Sequence, residues 1–134
     1  MMEDAQRIVV RQEIDANRAR RAAMVLADRL GFDVTEKMEV ATAVSELAHN
    51  LVWHAADGGA ITLRAVFRGQ RRGLEVVCED QGPGIPDIDR AVQNGFSTIG
   101  GLGGGLPGAK RLMDEFHIES EVGRGTTIIA RKWA

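Results

Sequence analysis

The sequence has little of what disulfides, zinc sites and membrane spans require. One cysteine, Cys78, stands among 134 residues, which excludes an internal disulfide and, in its apolar setting, predicts a packed and unreactive thiol. The three histidines, His49, His54 and His117, share no metal-ligand spacing with one another or with the cysteine. No apolar run approaches the roughly 20 residues that span a bilayer, and the first residues lack a signal-peptide pattern. We therefore expect a cytoplasmic protein with neither a zinc site nor a membrane contact.

The overall composition is that of one folded domain. Hydrophobic residues make up 44% and charged residues 27% of the chain, which is typical of soluble globular proteins. The length suits a single domain over residues 1–134. A formal net charge of −2 gives no general attraction for nucleic acid. Two local groups of arginines stand out: Arg18, Arg20 and Arg21, and Arg68, Arg71 and Arg72. Both are interpreted as solvated surface, and the first group alternatively as a docking face for an acidic partner.

Hydrophobic periodicity and turn residues predict alternating helices and strands. In chain order these are a strand around 7–14, a helix over 17–30, a helix from 34 or 35 to 56, strands over 60–68 and 73–79, a short helix over 86–92, a helix over 106–116, and strands over 117–122 and 126–133. Thr35 is the predicted N-cap of the second helix. The loop 69–73 joins the strands over 60–68 and 73–79 as an antiparallel hairpin. We expect a two-layer α/β sandwich, with helices on one face of a mostly antiparallel sheet.

The second helix carries the first candidate functional pair, Glu46 and Asn50. They lie one turn apart along the edge of an apolar stripe, which consists of Val40, Val44, Leu47 and Leu51. An amide oxygen such as that of Asn50 is a hard ligand suited to magnesium when a triphosphate supplies further oxygens. The Glu46 carboxylate can take a proton from an incoming hydroxyl. Alternatively, both are solvated polar residues of an amphipathic helix. We expect His49 to be exposed and His54 to be packed.

Asp80 ends an apolar strand and is followed by Gly82 and Gly84. A carboxylate there can accept a hydrogen bond from the adenine amino group, whereas the carbonyl of guanine would oppose it. Glycines allow a flat ring to approach the backbone. The alternative is a β-turn with aspartate as its first residue. A threonine after the turn 123–125, Thr126 or Thr127, is placed to support Asp80 with its hydroxyl.

A glycine-rich segment over residues 95–108 precedes the fourth predicted helix. So many glycines cost folding entropy, and their backbone N–H groups, next to a helix start, suit phosphate oxygens. The segment matches neither the Walker pattern nor a dinucleotide fingerprint. We interpret it as a mobile phosphate lid. Lys110 and Arg111 follow it, either reaching a phosphate or remaining solvated or partner-facing.

Four segments together resemble the ATP-binding boxes of the GHKL superfamily, which has the Bergerat fold. These are residues 46–50, residues 80–85, the glycine lid and residues 123–127. Within that superfamily the sequence is similar to the small RsbT-like serine/threonine switch kinases of the anti-sigma factor kinase group. The segments 79–88, 105–116 and 131–133 are similar to them almost residue for residue.

The resemblance implies roles for individual residues. Glu46 is the catalytic residue that activates the acceptor hydroxyl, and Asn50 binds Mg²⁺. Asp80 contacts adenine. The implied ATP contacts as a whole are Asn50, Asp80, Gly82, Gly84, Ile85, Gly101, Gly103, Gly104, Gly105, Leu106 and Thr126.

The resemblance also implies substrates and partners. The acceptor is a serine or threonine on a STAS-domain protein of the anti-sigma-factor-antagonist type, RsbS- or RsbR-like, in a bacterial partner-switching stress module. A second partner is an RsbU-like PP2C-type phosphatase, which the kinase binds and activates. His49 replaces an arginine common in these kinases, and the lid differs too. The alternative is therefore a nucleotide-gated adaptor or anti-sigma factor without significant kinase activity. A histidine-kinase ATPase module fits less well, since no residues remain for a phosphoacceptor helix pair.

Overall fold

The described part of the chain contains five strands and three helices. The computed structural model describes residues 5–54, 58–80, 105–121 and 125–134. The strands are β1 (Gln6–Val10), β2 (Gly59–Arg68), β3 (Arg71–Asp80), β4 (Glu115–Glu121) and β5 (Gly125–Trp133), and the helices are α1 (Glu13–Arg29), α2 (Val34–His54) and α3 (Gly105–Leu112). Within these ranges no helix combines the length and apolar character needed to cross a bilayer.

The strands form one sheet in the order β1-β2-β3-β5-β4, and every neighbouring pair is antiparallel. The predicted hairpin of β2 and β3 is confirmed, but its loop is shorter than expected. Arg68 pairs with Arg71, so the turn is Gly69 and Gln70 alone. Gly69 has a φ of +62°, a left-handed conformation that a two-residue hairpin turn requires and that glycine adopts without strain. Arg71 and Arg72, expected in the loop before the strand, therefore belong to β3.

The helices cover one face of this sheet, which confirms the two-layer architecture. The predicted apolar stripe of α2 is buried, since its four members are at most 2% exposed. Helix α1 packs against α2 through four alanines that are at most 1% exposed: Ala16, Ala19, Ala23 and Ala27. Their small side chains allow the two helices to approach closely. Beneath them lie the sheet residues Ile61, Leu63, Leu74 and Val76, each at most 1% exposed.

The first helix begins four residues earlier than the sequence indicated. Ile14, expected in the first strand, lies in the first turn of α1 with 64% of its surface exposed. The cause is a local hydrogen-bonded start: the backbone N–H groups of Arg11 and Gln12 donate to Asp15 Oδ2 at 3.0 and 3.1 Å. These bonds lower the pKa of Asp15. Strand β1 accordingly ends at Val10.

The N-terminus of α2 is capped by Asp33, so the prediction of Thr35 as the cap is wrong. The Glu36 N–H donates to Asp33 Oδ1 at 2.7 Å, and the Asp33 N–H donates to Glu36 Oε1 at 3.1 Å. This reciprocal pair is a capping box, which satisfies two backbone donors at once. Thr35 lies within the first turn and is exposed.

The third helix ends earlier than predicted, at Leu112, and Phe116 lies in β4. Two contacts with β5 end the helix here. The Asp114 N–H donates to the Arg131 carbonyl at 2.9 Å, and the Trp133 N–H donates to Asp114 Oδ2 at 2.8 Å. Phe116 nevertheless packs on the core, from a strand instead of a helix.

The face of the sheet opposite the helices carries a row of alternating charges. Arg64, Glu75, Arg131 and Glu115 are cross-strand neighbours on β2, β3, β5 and β4. The Glu75 side chain is only 3% exposed. Burial alone would raise its pKa, but hydrogen bonds from Arg64 Nε at 2.6 Å and Arg131 Nε at 2.8 Å outweigh burial, so the pKa of Glu75 is lowered. This row thus links four strands through ionised groups.

Candidate nucleotide site

Helix α2 places Glu46 and Asn50 side by side, one turn apart. Both are half-buried, whereas Leu47 and Leu51, each about 100° further round the helix, are in the core. The expected arrangement of the pair along the edge of the apolar stripe is therefore confirmed, and the two polar side chains are neither in the core nor fully in solvent. Ala43, one turn before Leu47, is completely buried.

Two contacts hold this part of α2 over the end of the sheet where β3 finishes. The Cys78 thiol lies 3.9 Å from the Leu47 carbonyl. At Gly59, which pairs with Asp80, a Cβ atom would come within 2.8 Å of Leu51 Cδ2, so the absence of a side chain lets the helix settle on the sheet. Burial raises the pKa of the Cys78 thiol far above its usual value, which confirms the prediction of a packed, unreactive cysteine.

Asp80 and Thr126 are cross-strand neighbours on β3 and β5. Side chains alternate along a strand, so both are on the helix-covered side of the sheet, like the buried Cys78 and Ile128 two residues away. Thr126 is 7% exposed, and its hydroxyl lies 2.9 Å from the Ser120 hydroxyl. Of the two threonines considered from the sequence, Thr126 shares the side of Asp80. Ser120 was not identified from the sequence.

The C-terminus of helix α3 is held by a lysine of β5. Lys132 Nζ on β5 donates to the last carbonyl of the helix, Leu112 O, at 2.9 Å, and also pairs with Glu39 of α2 at 3.3 Å. The C-terminus of α3 therefore lies beside the first half of α2, against which the helix packs. Helix α3 has eight residues and is therefore about 12 Å long. The first N–H groups of the helix have no partner within it.

Of the other residues predicted to contact ATP, only those in α3 are among the described residues. Gly105 and Leu106 form the start of α3, and Leu106 packs on the core. Lys110 and Arg111 lie in its last turn and are exposed. The positions Gly82, Gly84, Ile85, Gly101, Gly103 and Gly104 lie outside the described residues, as does the predicted helix over 86–92.

His49 is not exposed as predicted; it is half-buried. Its Nδ1 lies 2.8 Å from the Ser45 carbonyl, one turn earlier, and its ring centroid is 5.0 Å from that of Trp53, one turn later. Because a carbonyl only accepts, Nδ1 carries the proton and donates it. His117 is exposed beside Glu119, while the side chain of His54 lies outside the described residues.

These placements bring the Asp80 carboxylate, at the end of β3, and the Glu46 and Asn50 side chains of α2 to the same end of the sheet. Among residues 5–54, 58–80, 105–121 and 125–134, no group of three or more His, Cys, Asp and Glu residues could hold a metal ion.

The sequence matches the histidine kinase-like ATPase domain over residues 9–132, and this chain belongs to that family. Among proteins, it is similar to the serine/threonine-protein kinase RsbT of Bacillus subtilis (strain 168), with 46% identity over 98% of each chain. It is also similar to the anti-sigma F factor of Thermoanaerobacter sp. (strain X514), with 33% identity over 86% of this chain and 82% of the relative.

Solved structures agree on the fold. A mycobacterial sensor histidine kinase, MprB, matches with a TM-score of 0.58 and 18% identity over 99% of this chain and 97% of that chain. The catalytic domain of the histidine kinase ThkA matches with a TM-score of 0.55 and 14% identity, covering 98% of both chains. The predicted GHKL-type fold is confirmed.

Proposed function

We propose that this protein is an ATP-dependent serine/threonine protein kinase whose site lies between α2, the start of α3 and the Asp80 end of the sheet. The observation that carries the proposal is the half-buried Glu46 and Asn50 pair on the part of α2 that packs over the end of the sheet where β3 finishes at Asp80. The chain's 46% identity to a serine/threonine kinase supports it.

Asp80 is proposed to select adenine. Its carboxylate accepts a hydrogen bond from the exocyclic amine, and a guanine carbonyl at the same position would place acceptor against acceptor. Thr126 stands next to it across the sheet, and the Ser120 hydroxyl fixes the threonine hydroxyl at 2.9 Å. The Thr126 hydroxyl is therefore ordered before the base arrives, which reduces the entropy cost of binding.

Asn50 is proposed to bind Mg²⁺ through its amide oxygen. Magnesium takes few protein ligands when phosphates and water complete its octahedron, so the amide oxygen of Asn50 would be enough as the protein's contribution. The ion would neutralise charge on the triphosphate. The first N–H groups of α3, beginning at Gly105 and Leu106, are proposed to contact phosphate oxygens, as helix N-termini often do.

Glu46 is proposed to be the general base. It accepts the proton of a serine or threonine hydroxyl while that oxygen forms a bond to the γ-phosphorus. The bond between the γ-phosphorus and the β,γ-bridging oxygen breaks, and ADP takes the bond's electron pair. The products are a phosphorylated acceptor, ADP and a proton held by Glu46.

The proposed acceptors are STAS-domain proteins of a cytoplasmic partner-switching module, and the proposed second partner is a PP2C-type phosphatase. The anti-sigma F factor relatives favour a role in switching between protein partners. They also favour a second candidate function, in which ATP sets the conformation of an adaptor that acts by binding alone. Partner activation that survives Glu46→Ala, with no phosphate transfer by the wild-type protein, would favour the adaptor.

The test uses labelled ATP, Mg²⁺ and a purified STAS-domain protein. Glu46→Ala should abolish transfer while ATP affinity stays within about twofold, because the carboxylate acts on the acceptor. Asp80→Ala should weaken ATP binding itself. Thr42→Ala, an exposed position one turn before Glu46 on the same helix, is the matched control and should behave as wild type. An acid-stable label supports a phosphoserine or phosphothreonine product. An acid-labile label, or none on the STAS protein, would contradict the proposal.

A further inference from the structure

The turn of the β2–β3 hairpin presents a group of exposed residues far from the nucleotide site. Phe67 is 54% exposed, the side chain of Arg68 is 59% exposed, and Arg71 and Arg72 are also exposed. We call these four residues the hairpin patch. Strand β3 runs ten residues from Arg71 to Asp80, a distance of about 30 Å. A molecule bound at the patch would therefore leave the nucleotide site open.

Trp133 orders two of the arginines in the patch. The guanidinium carbons of Arg68 and Arg71 lie 4.6 and 5.3 Å from the indole ring centroid, within the range of a cation–π contact. Gly73, opposite Trp133 in the sheet, makes room for the ring, since a Cβ there would lie 2.6 Å from Trp133 Cε3. The Trp133 indole N–H donates to Glu115 Oε2 at 2.6 Å, which fixes the orientation of the ring.

The positive charge of the patch exceeds what its neighbours neutralise. Arg68 Nη1 pairs with Glu115 at 3.2 Å, and that carboxylate is already shared with Trp133 and Arg131. Within the part of the chain that the structure describes, neither Arg71 nor Arg72 forms an ion pair with a carboxylate. Two exposed guanidinium groups are thus available for a ligand, on a chain whose net charge is −2.

We propose that the hairpin patch is a docking surface for an acidic segment of a partner protein. A guanidinium group binds a carboxylate through two parallel hydrogen bonds. Because side chains alternate along a strand, Phe67 and Arg72 lie on the helix-covered side of the hairpin, whereas Arg68 and Arg71 lie on the opposite side. A segment that crosses the end of the hairpin would therefore meet Arg71 on one side and Arg72 on the other, with Phe67 as an apolar contact beside Arg72. The matching segment carries Asp or Glu residues on either side of an apolar side chain.

The charge distribution favours a peptide over nucleic acid or an anionic membrane. The sheet face that carries Arg68, Arg71 and Trp133 also carries the exposed Glu79 and Glu119 at its other end. An extended polyanion along that face would meet these carboxylates, whereas a short acidic segment needs only the hairpin end. The ring contacts also hold Arg68 and Arg71 before binding, which lowers the entropy cost of a small contact.

The experiment measures binding of a fluorescein-labelled peptide, rich in Glu and Asp with a central Leu-Phe pair, by anisotropy. The wild-type protein should bind it, and added salt should weaken binding. Arg71→Glu/Arg72→Glu should weaken binding by at least about tenfold, the effect of losing about 1.4 kcal/mol. Arg72→Glu alone, which leaves the Trp133 contacts in place, should weaken peptide binding less than the double substitution does.

Arg7→Glu is the matched control for Arg72→Glu, because both replace one exposed arginine with glutamate and Arg7 lies on β1, outside the patch. It should bind the peptide within about twofold of wild type. ATP binding by the double variant should be unchanged. This result would show that the variant is folded and that the hairpin patch is separate from the kinase site. Three results would each overturn the proposal: no peptide binding, equal binding by the double variant, or stronger binding of phosphatidylserine vesicles or single-stranded DNA than of the peptide.

Discussion

Glu75→Gln tests whether the row of alternating charges on the sheet face opposite the helices stabilises the fold. The wild-type carboxylate is 3% exposed and accepts short hydrogen bonds from Arg64 and Arg131. Glutamine has nearly the same shape but no charge, and it cannot accept from both guanidinium groups equally well. The substitution therefore removes the charge without opening a cavity.

The expected loss of stability depends on how exposed the two arginine partners of Glu75 are. A hydrogen bond to a charged group contributes about 1.5–3 kcal/mol, and two are weakened here. Arg64 and Arg131 are 46% and 33% exposed, so water replaces part of what each loses. We expect the free energy of unfolding to fall by about 2–3 kcal/mol at pH 7. Glu79→Gln, on the same strand and face but exposed, should change it by less than about 0.5 kcal/mol.

The pH dependence gives this prediction a second readout. Because the pKa of Glu75 is lowered in the folded state, its contribution is present above the unfolded value of about 4.3 and is lost as the pH falls through the folded pKa. Urea unfolding of wild type and variant should therefore show a difference that is largest near neutral pH and shrinks in acid. Equal stability at pH 7, or a difference that grows in acid, would refute the reasoning.

Two further substitutions test contacts that position the elements. Gly73→Ala should destabilise the protein by about 1–3 kcal/mol in thermal unfolding, because the new Cβ would meet the Trp133 ring at 2.6 Å. At Gly108 in α3, the nearest atom of the described residues, outside the backbone of the helix, would lie 4.0 Å from a new Cβ, so Gly108→Ala should be neutral or stabilising. Equal effects of the two substitutions would contradict this account. Lys132→Met should leave the Leu112 carbonyl without its 2.9 Å partner and speed hydrogen exchange of α3 amides, whereas unchanged exchange would show that this contact does not hold the helix.

Sequence periodicity predicted the parts of the fold that local patterns determine. The apolar stripe of α2 repeats at helical spacing, so the burial of Leu47 and Leu51 and the position of Glu46 and Asn50 followed from the sequence. The same method failed where two patterns overlap. Ile14 continued an alternating pattern, but backbone bonds to Asp15 start a helix there. Local hydrogen bonding therefore outweighed hydrophobic alternation.

Contacts that depend on strand register could not be predicted. Phe116 falls at helical spacing after α3, yet bonds from Asp114 to β5 end the helix before it. The Ser120 and Thr126 hydroxyls meet only because β4 and β5 pair with those two residues opposite each other. The half-burial of His49 likewise depends on its contacts with Ser45 and Trp53, which hydrophobic periodicity does not report.

The central claim is that the Asp80 end of the sheet and the Glu46–Asn50 turn bind ATP, and calorimetric titration tests it most directly. The wild-type protein should release heat with Mg²⁺-ATP and bind GTP at least about tenfold more weakly. The Asp80→Asn protein, whose new amide can donate as well as accept, should bind ATP about 10- to 100-fold more weakly. Its preference for ATP over GTP should also be smaller than that of the wild type. The absence of any heat with ATP, or an Asp80→Asn protein with wild-type affinity and selectivity, would contradict the account.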